Sequence, residues 1–286
     1  MAASGRSGNS AEAGAAPPEV WLDAFRRAVE RQVRVFAEHR GIEARSSYDG
    51  VGEGGDRTLV IDRLCEDATF AELERLHADG LEFTAISEER GTVVFGDPAA
   101  PTRVVIDPID GSLNARRTVP LHSFSAAVAE GDSMADVTVG FVHEFGAGEE
   151  FAAVSGQGAS LDGEPIRVPG GDGLEVVALE ASSPERVAPA AEALAGTAYR
   201  IRAPGSIAVS ACYVAAARFD GMFSTRDCRS VDAAAAQLIV REAGGSVSFG
   251  GELSAADLGL DARYGIAAAR TAADLEALGA AQAKVS

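Results

Sequence analysis

The sequence predicts a mixed α and β fold, built from packed layers of helices and sheets in two lobes that share a core. Hydrophobic residues make up 47% of the 286 residues, which is enough to bury a sizeable core. Segments with helical periodicity alternate with short β-type runs along the chain. No repeat or linker divides the sequence, so we expect one domain over 19–283, with lobes of about 19–170 and 171–283, after a disordered tail over 1–18.

Two helices are predicted near the start of the chain. Apolar residues recur at helical spacing from Trp21 to Phe36, and Gly41 ends this first helix. A second helical pattern covers 58–80. The glycine-rich stretch 43–57 between them has no apolar periodicity, and it fits either a surface loop or a mobile flap over a site.

Strands and further helices follow. The segment 81–87 predicts a short strand that leads into Glu88 and Glu89, and the run 103–106 predicts a buried strand. Because proline has no N–H for the sheet, we expect this second strand to end at Asp107-Pro108. Alternation predicts several strands over 121–154. Beyond them the pattern predicts strands at 175–180, 198–202, 220–223, 245–249 and 264–268, and helices at 184–195, 206–217, 231–243 and 271–280.

The charge balance excludes several classes of protein. The chain has 43 acidic against 25 basic residues, a net charge of −18, which excludes a general binder of nucleic-acid backbones. Lys284 is the only lysine in the sequence, which excludes Walker-type phosphate loops and lysine Schiff-base chemistry. Such an acidic, lysine-poor composition favours adaptation to high salt, with a GC-rich genome as the alternative explanation.

The cysteines and the apolar runs indicate a reducing compartment. Cys65, Cys212 and Cys228 have wide spacing that fits neither a disulfide framework nor a zinc site, so we expect them to be buried and free. No apolar run reaches the ~20 residues that a bilayer-spanning helix needs, and the N-terminal stretch lacks the apolar core of a signal peptide. We therefore expect a cytoplasmic protein that binds no membrane.

The segment Asp107-Pro108-Ile109-Asp110-Gly111-Ser112 carries the strongest chemical signal. A buried strand delivers Asp107 to its end, and Asp110 follows three residues later, so both carboxylates can hold one hard cation such as Mg²⁺. The residues from Ser112 can open a helix whose free N–H groups face an anion. An ordinary Asp-rich turn is the alternative.

Acidic residues at two further places in the chain favour a metal site over an ordinary Asp-rich turn. Glu88 and Glu89 end their own predicted strand, and buried carboxylates are costly unless they are paired or bound to metal. Asp232 opens the predicted helix over 231–243, where a simple helix N-cap is the alternative role.

Three ordered blocks give a specific resemblance. The residues at 86–90 (ISEER), at 107–114 (DPIDGSLN) and from Val231 (VDAAAA, followed by EAGG) resemble the signature blocks of the inositol monophosphatase family, whose superfamily also includes fructose-1,6-bisphosphatases. The resemblance covers roughly 20–270. It implies a layered αβαβα sandwich of the α+β class, a homodimer, and a Mg²⁺-dependent phosphomonoesterase with two or three ions per site.

The resemblance also implies roles for single residues. Glu88 and Ser112, a threonine in most of the family, position the attacking water, and Asp62 lies at a third-metal or water-holding position. Asp110 and the backbone N–H groups of Gly111 and Ser112 contact the phosphate, and Ser206 belongs to a substrate-binding helix start. The implied metal ligands are Glu88, Asp107, the Ile109 carbonyl, Asp110 and Asp232.

Departures from the family pattern bear on the substrate. Val231 stands in place of a tryptophan and Ala236 in place of a glycine, which we expect to alter packing. Thr225 stands where inositol-specific members often have an acid. The same neighbourhood carries arginines that are each ordinary surface charge alone but could together bind a second phosphate. These candidates are Arg202, Arg218, Arg226 and Arg229.

These departures favour a small bisphosphate as substrate. We expect hydrolysis of fructose-1,6-bisphosphate and inositol-1-phosphate, as in the archaeal-type members that act on both. The alternatives are a 3′-phosphoadenosine 5′-phosphate phosphatase and a non-catalytic member that binds sugar phosphates.

Overall fold

A computed structural model describes residues 16–47, 59–171, 173–181 and 183–285. Of the expected tail over 1–18, residues 1–15 lie outside the described residues and Pro18 already belongs to the first helix. Most of the glycine-rich stretch, at 48–57, also lies outside the described residues. The helices are α1 Pro18–Glu38, α2 Gly41–Arg45, α3 Val60–Ala78, α4 Ser112–Arg117, α5 Pro184–Ala193, α6 Ile207–Ala215, α7 Ser230–Glu242 and α8 Ala272–Gln282. Short 3₁₀ turns lie at Met134–Asp136 and Leu253–Ala255.

The first sheet has eight strands in the order β2-β1-β3-β4-β5-β6-β7-β8. Only β1 and β3 run parallel, and the other neighbours form antiparallel pairs. The strands are β1 Phe83–Ser87, β2 Gly91–Phe95, β3 Thr102–Asp110, β4 Ser123–Glu130, β5 Val137–Glu144, β6 Glu149–Val154, β7 Gly158–Leu161 and β8 Glu164–Ile166.

The second sheet has five strands in the order β10-β9-β11-β13-β12. Its strands β10, β9 and β11 run parallel, while β13 is antiparallel to both of its neighbours. The strands are β9 Leu174–Glu180, β10 Ala198–Arg202, β11 Gly221–Ser224, β12 Ser246–Ser248 and β13 Ala267–Ala269.

Helices and sheets alternate in five layers. The α1 and α3 helices cover one face of the first sheet, where the apolar stripe of α1 packs Trp21 and Phe25 against the strands. The α6 and α7 helices lie between the two sheets, in the largest apolar cluster. The α5 and α8 helices close the outer face of the second sheet. The predicted αβαβα sandwich is confirmed.

Small residues allow the central layer to be thin. A Cβ atom on Gly140, in β5, would lie 2.6 Å from the carbonyl oxygen of Ala235, in α7, so the helix rests directly on the strand backbone. Val231 and Ala236, the two departures from the family pattern, are both buried in this layer. An effect of these two departures on packing stays a prediction.

One strand boundary was predicted wrongly. Strand β3 continues through Pro108 to Asp110 instead of ending at Asp107. The register with β4 shifts between Asp107 and Asp110, so the proline lies in an irregular stretch where the missing N–H costs the sheet no regular hydrogen bond. Strands β2, β7 and β8 were not predicted.

Two expectations about the whole chain can be compared with the described residues. Cys65, Cys212 and Cys228 are all buried and free, as predicted. In the ranges that the structure describes, no helix combines the length and the apolar character needed to cross a membrane.

Candidate active site

Three carboxylates predicted as metal ligands meet at one edge of the first sheet. One carboxylate oxygen each of Glu88, Asp107 and Asp232 lies within 4.8 Å of the others. All three side chains line a cleft of about 790 Å³. The same cleft is also lined by Ile109, Asp110, Gly111 and Ser112.

The topology explains why residues so far apart in sequence meet. Strands β1 and β3 are parallel neighbours with Ser87 opposite Ile106, so Glu88, directly after β1, lies beside Asp107 in β3. Asp232 lies in the first turn of α7, and the contact of this helix with Gly140 fixes where that turn falls over the sheet.

The start of α6, distant in sequence, fixes the Asp110 carboxylate firmly. Its Oδ2 atom accepts a hydrogen bond from Ser206 Oγ at 2.5 Å and from the Ala208 N–H at 2.7 Å. Ser206 is the N-cap of α6 and also accepts from the Val209 N–H. Ser206, predicted to bind substrate, is buried and is not among the cleft-lining residues; its contact in this structure is with Asp110.

A glycine and two short-range hydrogen bonds fix the turn between β3 and α4. Gly111 has a φ of +88°, and a Cβ there would lie 3.0 Å from the Gly205 carbonyl oxygen, which explains the glycine. Ser112 Oγ donates to the Ile109 carbonyl at 3.0 Å, and the Ile109 N–H donates to Asp107 Oδ1 at 2.9 Å. The hydroxyl oxygen of Ser112 keeps its lone pairs as acceptors.

Burial and mutual repulsion disfavour the charged carboxylates. Burial, followed by the charges of Glu88, Asp110 and Asp232, raises the pKa of Asp107. Burial and the Asp232 charge raise the pKa of Asp110 to about 7, although Ser206 and Ala208 oppose this. A bound cation would reverse this tendency, because it stabilises the ionised form.

Asp62 lies in the first turn of α3, and the nearby acidic charges affect its pKa. Burial, with the charges of Glu89 and Glu88, raises the pKa of Asp62 to about 8. Its buried Oδ1 atom has no hydrogen-bond partner among the described residues. An unsatisfied buried oxygen beside an all-oxygen donor set fits a hard cation, so the residues present suit Mg²⁺.

Arg229 lies inside the carboxylate cluster. Its Nη2 atom is 2.6 Å from Glu88 Oε1 and 3.3 Å from Asp232 Oδ1. Its backbone N–H also donates to Asp232 Oδ2 at 2.8 Å, which begins α7. The arginine expected to hold a second phosphate is therefore engaged with two expected metal ligands.

Two other predicted arginines lie outside the cleft. Arg202 is exposed at the end of β10 and donates to the carbonyl of its own neighbour, Ile201. Arg218 follows α6, pairs with Glu149 through two bonds of 2.5 and 2.7 Å, and lies over the Tyr213 ring. Neither of these two predicted substrate-binding residues lines the cleft, whereas Arg226 and Arg263 do.

Sequence reasoning missed Glu180 at the end of β9. This buried side chain lines the cleft and accepts hydrogen bonds from Ser210 Oγ at 2.5 Å and the Gly205 N–H at 3.3 Å. An acid at the end of a predicted buried strand is the same signal that singled out Glu88.

Thr225 is buried and donates to the carbonyls of Glu180 and Ala181, so it does not face the cleft.

Glu66, in α3, was also missed. Its carboxylate accepts from the Ser87 hydroxyl and from the Arg90 N–H at 3.0 Å, on either side of Glu88 and Glu89. The buried carboxylate therefore fixes the loop that carries Glu88. No sequence signal separated it from the other acids of the helix.

A carboxylate cluster at the ends of parallel strands, beside the N termini of α6 and α7, defines a class of metal-dependent enzymes that act on anionic groups. A family model described as the inositol monophosphatase family matches residues 19–284. The chain belongs to this family, which confirms the resemblance seen in the sequence and the class of phosphoric monoester hydrolase.

Individual relatives agree with this assignment. The chain is 32% identical over 260 residues to the fructose-1,6-bisphosphatase/inositol-1-monophosphatase of Methanothermobacter thermautotrophicus, covering 87% of this chain and 91% of that protein. It is 33% identical over 235 residues to the protein of the same name from Thermococcus kodakarensis, covering 80% and 82%. A solved inositol monophosphatase–fructose 1,6-bisphosphatase superposes with a TM-score of 0.79 at 27% identity, covering 91% of this chain and 99% of that one.

Proposed function

We propose that the chain is a Mg²⁺-dependent phosphomonoesterase that hydrolyses sugar and polyol phosphates, including fructose-1,6-bisphosphate and inositol-1-phosphate. The observation that carries the proposal is the cluster of Glu88, Asp107 and Asp232 in a cleft of about 790 Å³. The names of the archaeal relatives support the same two substrates.

The cleft residues divide into ligands and positioning groups. Mg²⁺ bound there supplies Lewis acidity and a water of lowered pKa. Glu88 and the Ser112 hydroxyl hold the attacking water, and Asp62 supports them from α3. The N–H groups of Gly111 and Ser112 bind the phosphate that is cleaved. The groups that would hold Mg²⁺ are Glu88, Asp107, the Ile109 carbonyl, Asp110 and Asp232.

We assign the second phosphate of a bisphosphate to Arg226, which the sequence had indicated, and to Arg263, which it had not. Arg226 and Arg263 are exposed at the cleft, and neither has an ion pair within the described ranges. Asp227 and Asp261 line the same rim and suit sugar hydroxyls as acceptors. This rim therefore favours a substrate that carries both an anionic group and hydroxyls.

A phosphate-release assay tests the proposal. Fructose-1,6-bisphosphate, inositol-1-phosphate and 3′-phosphoadenosine 5′-phosphate are compared with Mg²⁺ and with EDTA. We expect Mg²⁺-dependent release from the first two. Release from the nucleotide alone would favour the nucleotide phosphatase, and silence across a broad panel of phosphomonoesters would favour a non-catalytic binder.

The remaining expectations concern the whole molecule. We expect one domain over 19–283; the contacts of α7 with strands of both sheets support this, and a single unfolding transition is the expected sign. A homodimer is expected from the family and is tested by light scattering. We keep the cytoplasm as the expected location, to be tested by fractionation of the source cells.

A further inference from the structure

The guanidinium of Arg229 lies where the carboxylate cluster calls for a cation. One nitrogen, Nη2, is shared between Glu88 Oε1 at 2.6 Å and Asp232 Oδ1 at 3.3 Å. These two residues and Asp107 are the ones whose oxygens approach within 4.8 Å of one another. The side chains of Arg229, Glu88 and Asp232 are only 26%, 20% and 13% exposed, so water screens the contact weakly.

The pairing has a direct electrostatic cause. Carboxylates packed this closely repel one another, and a single guanidinium offsets part of that repulsion. A Mg²⁺ ion needs carboxylate oxygens at about 2.0–2.1 Å, which is closer than an arginine donor approaches. The two cations therefore compete for the same carboxylate charge and repel each other, so a bound Mg²⁺ ion weakens the hold of the guanidinium on these carboxylates.

We propose that Arg229 is a built-in counter-cation: it holds Glu88 and Asp232 together in the metal-free chain, and it leaves them when a divalent cation binds. The proposal rests on the magnesium site proposed above. It assigns Arg229 a positioning role toward the ligands, in place of the second-phosphate contact that the sequence had indicated.

The surroundings allow this exchange without unfolding the helix. The Arg229 backbone is anchored separately, by its N–H bond to Asp232 Oδ2 at 2.8 Å, so the side chain can move while α7 keeps its start. Asp227 and Asp261 line the same cleft, and neither is ion-paired in the part of the chain that the structure describes. The displaced guanidinium therefore has acceptors within the cleft.

Calorimetric titration of metal-stripped protein with Mg²⁺ alone tests the exchange. Arg229→Gln removes the competing charge, and we expect it to bind Mg²⁺ about tenfold or more tightly than the parent chain, on the scale of a lost charge-assisted hydrogen bond. Arg218→Gln is the matched control, because it breaks a similar arginine–glutamate pair outside the cleft and should leave the affinity unchanged.

Thermal unfolding separates this role from that of a simple helix cap. Metal-free Arg229→Gln should unfold at a lower temperature than the parent chain, and saturating Mg²⁺ should remove most of the difference. A deficit of equal size with and without Mg²⁺, or a Mg²⁺ affinity that is unchanged or weaker, would refute the counter-cation.

Two further readouts keep the test decisive. If Arg229→Gln does not fold, NMR of the parent chain with labelled arginine replaces it. Mg²⁺ should shift the Nε–H signal of one half-buried arginine, and the absence of any shift would overturn the proposal. If Mg²⁺ binds neither chain, the magnesium site itself fails. Equal binding to both chains, with phosphate still released, refutes only the role of Arg229.

Discussion

Replacement of Asp110 by asparagine should abolish activity while preserving the fold. The carboxylate already uses Oδ2 to accept from Ser206 and from the Ala208 N–H. The asparagine carbonyl must take that place, because an amide NH₂ cannot accept from a backbone N–H. Its NH₂ group is therefore forced into the position of Oδ1, and a nitrogen that carries two hydrogens is no ligand for Mg²⁺.

The magnitude follows from the loss of one charged ligand. We expect kcat to fall at least ~10³-fold, which corresponds to about 4 kcal/mol of barrier. The unfolding temperature should hold or rise, because burial raises the pKa of Asp110 to about 7 and the neutral amide avoids the cost of a buried charge. Asp107→Asn and Asp232→Asn should behave alike, and double variants should lose less than the sum, since all three serve one cluster.

The assay is phosphate release at increasing Mg²⁺, with circular dichroism as the check on folding. Ser206→Ala is the informative comparison, because it removes one bond to Oδ2 and leaves the ligand charge, so a smaller loss is expected. Near-normal activity of Asp110→Asn at saturating Mg²⁺ would refute the reasoning. So would a loss in Ser206→Ala as large as that in Asp110→Asn.

Four other measurements address the rest of the molecule. Molar KCl should raise the unfolding temperature by screening the repulsion within a net charge of −18, and no change at fixed Mg²⁺ would favour genome composition as the cause. Fructose-1,6-bisphosphate should be preferred over inositol-1-phosphate. Arg226→Gln and Arg263→Gln should each reduce the ratio of kcat/KM for fructose-1,6-bisphosphate to kcat/KM for inositol-1-phosphate, and an unchanged ratio would refute a role of both arginines in binding the second phosphate. Burial raises the pKa of Glu180 from 4.5 to about 8, so between these pH values the folded chain binds a proton that the unfolded chain releases. The free energy of unfolding should therefore fall as the pH rises from 4.5 to about 8. In denaturant titrations of metal-free protein, Glu180→Gln should flatten that fall. Glu66→Ala should raise the Mg²⁺ concentration needed for half-maximal activity by loosening the loop of Glu88, and an unchanged Mg²⁺ requirement would contradict this role.

The local parts of the site were predictable, and the long-range parts were not. Asp107, Asp110 and Ser112 lie within one short turn, so their proximity follows from the chain itself. The approach of Glu88 and Asp232 depends on strand order and helix packing, and only the family resemblance brought them together beforehand. The arginines near Asp232 in sequence diverge in space, because Arg218 follows α6 and turns toward β6.

The same distinction explains the errors in the fold. Pro108 lacks a donor wherever it sits, yet whether this ends a strand depends on the neighbouring strand, and the irregular register with β4 accommodates it. Glu180 carried a readable signal as an acid at a strand end. Glu66 carried none, because its role arises from packing of α3 against the loop after β1.

The direct contact between the backbone of Gly140 and helix α7 has a consequence for interpreting genetic variation. Any residue with a Cβ there meets the Ala235 carbonyl at 2.6 Å, so α7 must shift and carry Asp232 with it. A screen for activity would therefore rank Gly140 beside the metal ligands, although Gly140 does not line the cleft. Loss of function at this glycine would report a change in the spacing between two layers of the molecule, and excess Mg²⁺ in the assay would partly conceal it.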